Sequence, residues 1–183
     1  NKKENNNNIE ERNLKHLEEP DLNIDQKKLD EIYHINKKYF HHDNFKGMQL
    51  KAIKLALESK DLFIMMPTGG GKSLPGKIQG GLTVVISPLK SLIFDQIKKL
   101  EKLNLSAKTL CTELINDYND YLQILNDIES GKVLFLYITP EKLIQTDILN
   151  FFTRLYNKNQ ITRFVFDEAH LMIDYGLDFR PDY

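Results

Sequence analysis

Cysteine is almost missing from this chain. Cys111 is the only one in 183 residues, so no internal disulfide can form and no thiolate metal cluster can be built. A reducing, intracellular setting is expected, and Cys111 itself reads as a small packing residue at a strand end. Long hydrophobic runs are lacking too. No apolar stretch approaches membrane-spanning length and no secretory signal pattern is visible, so no membrane partner is expected. Neither charge dominates: 25 Lys and Arg against 26 Asp and Glu leave a formal net charge of −1. That excludes a basic coat and leaves any nucleic-acid contact to a local surface. What remains is 41% hydrophobic, enough for one α/β domain with a real core.

The organisation follows from composition and periodicity. Residues 1–24 are polar, with the run Asn5-Asn6-Asn7-Asn8, and read as a disordered or weakly helical arm. Residues 25–60 carry helical spacing. Leu29, Ile32, Tyr33, Tyr39 and Phe40 recur at three- and four-residue steps, and Met48, Ala52, Ile53 and Ala56 share one face of a second helix. Residues 61–183 alternate strand and helix. Strands are predicted at Asp61–Met66, Leu82–Ser87, Ala107–Leu110, Lys132–Ile138 and Arg163–Phe166. Helices are predicted at Ser91–Leu103, Asn116–Glu129, which Gly131 ends, and Glu141–Tyr156. Near-continuous apolar strands alternating with helices imply a mainly parallel sheet with helices on both faces. Ligands of such folds sit at the carboxyl edge of the sheet.

Two motifs carry chemistry. The apolar run Leu62-Phe63-Ile64-Met65-Met66 leads through Pro67 into Thr68-Gly69-Gly70-Gly71-Lys72-Ser73. Glycines let backbone N–H groups point at phosphate oxygens with no Cβ in the way. Lys72 would reach the β- and γ-phosphates, the Ser73 hydroxyl would hold Mg²⁺, and a following helix would add its positive end. The strict phosphate-loop pattern has glycine where this chain has Met66, and Gly-Gly-Gly-Lys-Ser alone also suits a flexible loop. The second motif is the strand Arg163–Phe166 running into Asp167-Glu168-Ala169-His170. Two acids ending a buried strand call for a cation. Asp167 would bind the Mg²⁺ of a nucleotide, and Glu168 would polarise the attacking water. A lone Asp-Glu pair also suits a solvated strand end; together the two motifs read as an NTP hydrolysis site.

From about Leu29 to Tyr183 the sequence resembles RecQ-type DNA helicases, the DEAH-box variant within superfamily 2. Four further segments carry the likeness. Phe40 to Gln49 looks like the family's adenine-binding segment, and the resemblance implies that Gln49 bonds the adenine edge. Lys46 stands where the family usually has Arg, and His42 stands where a stacking aromatic is common. Ser87-Pro88-Leu89 with Ser91-Leu92 and Asp95-Gln96 is similar to a motif touching the single-stranded DNA backbone, implicating Ser87. Thr139-Pro140-Glu141 resembles another DNA-facing motif, although Thr139 also suits a helix cap. Residues after His170 look like the aromatic-rich loop that senses single-stranded DNA, implicating His170, Tyr175, Phe179 and Arg180. The chain has no tryptophan; Tyr175 replaces the family's usual Trp and Leu177 a usual His.

The resemblance implies a P-loop NTPase (RecA-like) domain, the first of two, in an ATP-dependent 3′–5′ DNA helicase acting on single-stranded or forked DNA. It implies ATP and Mg²⁺ as cofactors, roles in DNA repair and recombination, and a nuclear location in a eukaryote. The arginine finger of such a motor comes from the second RecA-like domain. The chain alone is therefore expected to bind nucleotide, hydrolyse it poorly and not unwind DNA. Another superfamily 2 translocase, an RNA helicase or a non-catalytic nucleotide-gated DNA-binding module are the alternatives. One register mismatch stands out. Pro75-Gly76 follows Ser73-Leu74 at once, leaving the helix after the phosphate loop barely one turn, as though about four residues, one helical turn, were absent between Leu74 and Pro75.

Overall fold

A computed structural model describes residues 25–45, 48–58, 61–62 and 74–168. Among the described residues, four parallel strands form one sheet: β1 (Leu82–Ile86), β2 (Ala107–Thr109), β3 (Phe135–Ile138) and β4 (Ile161–Phe166), in the order β2-β3-β1-β4. The expected α/β class and parallel sheet are both present. β1 and β3 are buried along their whole length, as continuous apolar strands covered on both faces must be.

Alternation along the strands separates two cores. Leu82, Val84 and Ile86 point into one with Leu136, Ile138, Ile128, Ile148, Phe151 and Leu155. Val85, Phe135 and Tyr137 enter the other with Ile93, Leu100, Leu105 and Cys111. Cys111 is thus the buried packing residue that the sequence indicates. α1 (Gln26–Phe40) and α2 (Gln49–Leu57) form a third cluster through Ile32, Ile35 and Ile53, closed by Ile78 of α3 (Leu74–Gln79). α3 is only six residues long. It lies close against the sheet because residue 76 is glycine: a Cβ there would stand 2.7 Å from the Phe135 ring and 2.8 Å from Thr83 Oγ1.

Several boundaries differ from the sequence reading. β1 ends at Ile86 rather than Ser87, β2 ends at Thr109 rather than Leu110, and the helix expected from Asn116 begins at Tyr118. β4 begins at Ile161 rather than Arg163 and is partly exposed, with Phe164 and Phe166 open to solvent, where a buried strand was expected. α4 spans Lys90–Lys102, one residue earlier than expected. β3 starts at Phe135 rather than Lys132, because the preceding residues finish α5 (Tyr118–Glu129). Gly131, at φ +73°, donates to Ile128, and the Lys132 amide donates to Asp127. The single helix expected over Glu141–Tyr156 is two, α6 (Pro140–Leu143) and α7 (Thr146–Asn157), parted at Gln145 with ψ 133°. α6 is pinned to the end of β3. α7 must turn to lay Ile148, Phe151, Phe152 and Leu155 against the sheet, so one straight helix cannot serve both.

Candidate nucleotide and nucleic-acid site

The carboxyl edge of the sheet gathers three of the sequence-predicted site residues. Ile86 pairs with Ile138 on one side and Phe166 on the other. The ladder continues one residue further: the Ser87 amide donates to Ile138 O at 3.0 Å, and the Asp167 amide donates to Ile86 O at 2.9 Å. Thr139, Ser87 and Asp167 therefore stand in a row across three adjacent strands. All three are buried.

Each has a distinct environment. Thr139 caps α6, its side chain accepting from the Lys142 amide, with Pro140 at the first helical position. A missing N–H costs nothing there. Ser87 is 1% exposed, and its hydroxyl has no hydrogen-bond partner. Its side chain is thus inside. α4 begins after Leu89 with no side-chain cap, leaving its first amides to other acceptors. Asp167 is 7% exposed. A carboxylate this enclosed at a strand end, with hydroxyl and carboxylate oxygens the only donors proposed, fits a hard cation such as Mg²⁺. Next to it, Glu168 is half-buried and adopts φ +53°. Non-glycine residues rarely hold this left-handed conformation, which costs on the order of 1–3 kcal/mol and clusters at functional sites.

His42 and Gln49, expected beside adenine, lie where α1 meets α2. α1 ends at His41, in the left-handed region at φ 57°. Its Asn36 side chain, 5% exposed, donates to the His42 carbonyl at 2.9 Å. Tyr33 meets the Phe45 ring edge-on at 5.0 Å between centroids, and Lys37 pairs with Asp43 at 2.8 Å. This pairing holds the Asp43 carboxyl below, and the Lys37 ammonium above, its ordinary range. His42 is exposed, and Gln49 is the half-buried first residue of α2. Asn36 was missed in the sequence. The available signal was a polar residue on the apolar stripe Ile32, Ile35, Tyr39. α3 joins this layer, with Lys77 Nζ 4.4 Å from the Tyr39 ring centre.

Lys46, Thr68, Gly69, Gly70, Gly71, Lys72, Ser73, His170, Tyr175, Phe179 and Arg180 lie outside the described residues. Among the described residues no cluster of three His, Cys, Asp or Glu forms a metal site of its own, and no helix is long and apolar enough to cross a membrane.

A parallel sheet with an acidic pair at its carboxyl edge defines the class, and sequence comparison gives the family. The profile of DEAD/DEAH box helicases matches residues 46–183, and the chain belongs to that family. Within it, the chain is similar to RecQ-like helicases. It is 44% identical to "RecQ-like DNA helicase BLM" of Xenopus laevis over 168 positions, covering 86% of this chain and 12% of that protein. It is 41% identical to "ATP-dependent DNA helicase Q-like 4B" of Arabidopsis thaliana, covering 84% and 14%. With "RecQ-like DNA helicase blm-1" of Caenorhabditis elegans it shares 39% identity, covering 84% and 16%. The chain thus spans less than a fifth of the length of these relatives. The 168 positions aligned with the frog protein outnumber the residues that 86% of this chain supplies, so that protein holds stretches with no counterpart here.

Proposed function

We propose that this chain is the first of two RecA-like motor domains of an ATP-dependent, RecQ-type DNA helicase moving 3′ to 5′. In this reading residues 1–24 are an appended arm, 25–60 the adenine-binding lead-in and 61–183 the ATP-binding domain. The observation that carries it is the row Thr139–Ser87–Asp167, with Glu168 beside it, at the carboxyl edge of a parallel sheet in a DEAD/DEAH family chain.

The nucleotide would enter with its adenine against Gln49, Lys46 and His42 and its phosphates wrapped by residues 68–73. Ser73 and Asp167 would hold the Mg²⁺, which neutralises charge on the phosphate oxygens when bound. Lys72 orients and neutralises the terminal phosphates, while Glu168 positions water and accepts its proton. Such chemistry is mostly positioning and charge stabilisation. A second RecA-like domain would supply the arginine finger, typically worth about 10³–10⁵ in rate. The DNA strand would cross the same edge, its phosphates on backbone amides around Ser87 and at the start of α4, with Thr139 alongside. His170, Tyr175, Phe179 and Arg180 would couple base stacking to hydrolysis. The partners are then single-stranded or forked DNA, and in a eukaryote the protein works in the nucleus, in repair and recombination.

The test is ATP hydrolysis by the full-length protein with single-stranded DNA, with single-stranded RNA and with neither. DNA-stimulated turnover that Glu168→Gln abolishes is the expected result. Stimulation by RNA alone, or turnover indifferent to Glu168→Gln, would overturn the proposal.

A further inference from the structure

Glu113 closes a 2.6 Å ion pair on Lys90 Nζ across 23 positions of chain. Lys90 opens α4, three residues after the buried Ser87. Glu113 sits in the 3-10 turn Thr112–Leu114 that follows β2. That turn is itself built: the Cys111 amide donates to Thr109 Oγ1 at 3.1 Å, and the Leu114 amide donates to Cys111 O at 2.9 Å. Cys111 anchors it in the core. Glu113 is thus presented to Lys90 by a fixed turn, yet neither head group is enclosed, the side chains being 50% and 59% exposed. Glu141, at the start of α6, acts on the same ammonium through space.

We propose that Glu113 is a built-in stand-in for a nucleic-acid phosphate: it occupies Lys90 at the carboxyl edge until a strand phosphate displaces it. The inference rests on the nucleic-acid reading above. A carboxylate and a phosphate present the same charged oxygen acceptor to an ammonium. An exposed pair is weak enough to exchange, since such pairs contribute little and are screened by salt. With a net charge of −1, the chain has no surplus of cations, so withholding one lysine changes what the edge offers a strand. Glu113 then tunes affinity without touching nucleotide, and its removal strengthens binding, whereas loss of an ordinary contact weakens it.

The experiment measures binding of a fluorescent oligothymidylate to the full-length protein across a salt series. The variants are Glu113→Gln, Lys90→Gln, the pair together, and Glu101→Gln. Glu101 lies on the last turn of α4 and gives the same charge change far from Lys90. Glu113→Gln should tighten binding roughly two- to five-fold beyond Glu101→Gln. Lys90→Gln should weaken it and lower the slope of log affinity against log salt by about 0.7, the value of one single-strand phosphate contact. The double variant should match Lys90→Gln. Glu113→Gln binding no tighter than Glu101→Gln, or an unchanged slope in Lys90→Gln, overturns the inference while leaving the DNA reading intact. Failure of the unaltered protein to bind the oligonucleotide overturns both.

Discussion

The backbone amide of Asp167 donates to the carbonyl of Ile86 at 2.9 Å. This bond lies one step past the paired residues Ile86 and Phe166, and it fixes where the first acid of the DEAH motif emerges. Because the bond is backbone, the side chain can be changed without losing it. Asp167→Asn should keep that bond. It should weaken Mg²⁺-dependent ATP binding by roughly 10–100-fold or more, since even outer partners of a metal ligand cost that much. Calorimetric titration of ATP with and without Mg²⁺ would check it, and equal affinity in the presence of metal would count against Asp167 as a ligand.

Gly76 should not tolerate a methyl group. In a helix interior, alanine normally gains about 1 kcal/mol over glycine. Here the new Cβ would lie 2.7 Å from the buried Phe135 ring, and overpacking of that kind costs about 1–3 kcal/mol. Denaturant unfolding of Gly76→Ala should show a net loss of stability; a gain would mean that α3 does not press on the sheet.

Two hydroxyls on β1 and just beyond it, Thr83 Oγ1 and Ser87 Oγ, are buried without partners. Thr83→Val keeps the shape and removes the orphan, so it should stabilise by about 1 kcal/mol. Ser87→Ala should likewise not destabilise, and if backbone alone meets the strand, DNA affinity should hold as well. A drop in DNA affinity at unchanged stability would reassign the contact to the hydroxyl.

Asn36 holds the segment that carries His42. Replacing it with Leu leaves the His42 carbonyl without its donor, a loss of about 1–3 kcal/mol. The readouts are a lower melting temperature together with a raised KM for ATP. A variant that melts earlier at unchanged KM would detach His42 from nucleotide binding.

The Lys90–Glu113 pair has a pH signature. Its hydrogen bond and charge hold the Glu113 carboxyl below its ordinary range and the Lys90 ammonium above its own. The stabilisation from the carboxylate is therefore complete above the unfolded Glu value and fades as pH falls through the lower folded value. That from the ammonium is complete below the unfolded Lys value and fades as pH rises through the higher folded one. An NMR titration should find the Glu113 carboxyl moving up toward the ordinary Glu range in Lys90→Gln. No movement would show the pair does not persist in solution.

Much of this was legible beforehand because it rests on short-range chemistry. The strand ending at Phe166 and the cap at Thr139 both announce themselves within a few residues. What the sequence hid depends on distant parts of the chain. The bend at Gln145 arises because α6 and α7 answer to different surfaces, although Glu141–Tyr156 reads as one helix. Asn36 and the Lys90–Glu113 pair are matched only by the fold. Ser87 was expected to meet DNA together with the backbone amides at the helix start, and its side chain is 1% exposed, which no local pattern records. Pro75-Gly76, read as a sign of lost chain, lies within the short α3. Inserting about four residues, one helical turn, between Leu74 and Pro75 should strengthen ATP binding if that reading holds, as nucleotide titration would reveal.

Neighbouring strands are spaced about 4.8 Å apart, so Thr139 and Asp167 are separated by only two such steps with Ser87 between them. In the proposed reading, a metal held at Asp167 and a strand gripped beside Thr139 would share one short hydrogen-bonded row, with no intervening element between them but the end of β1.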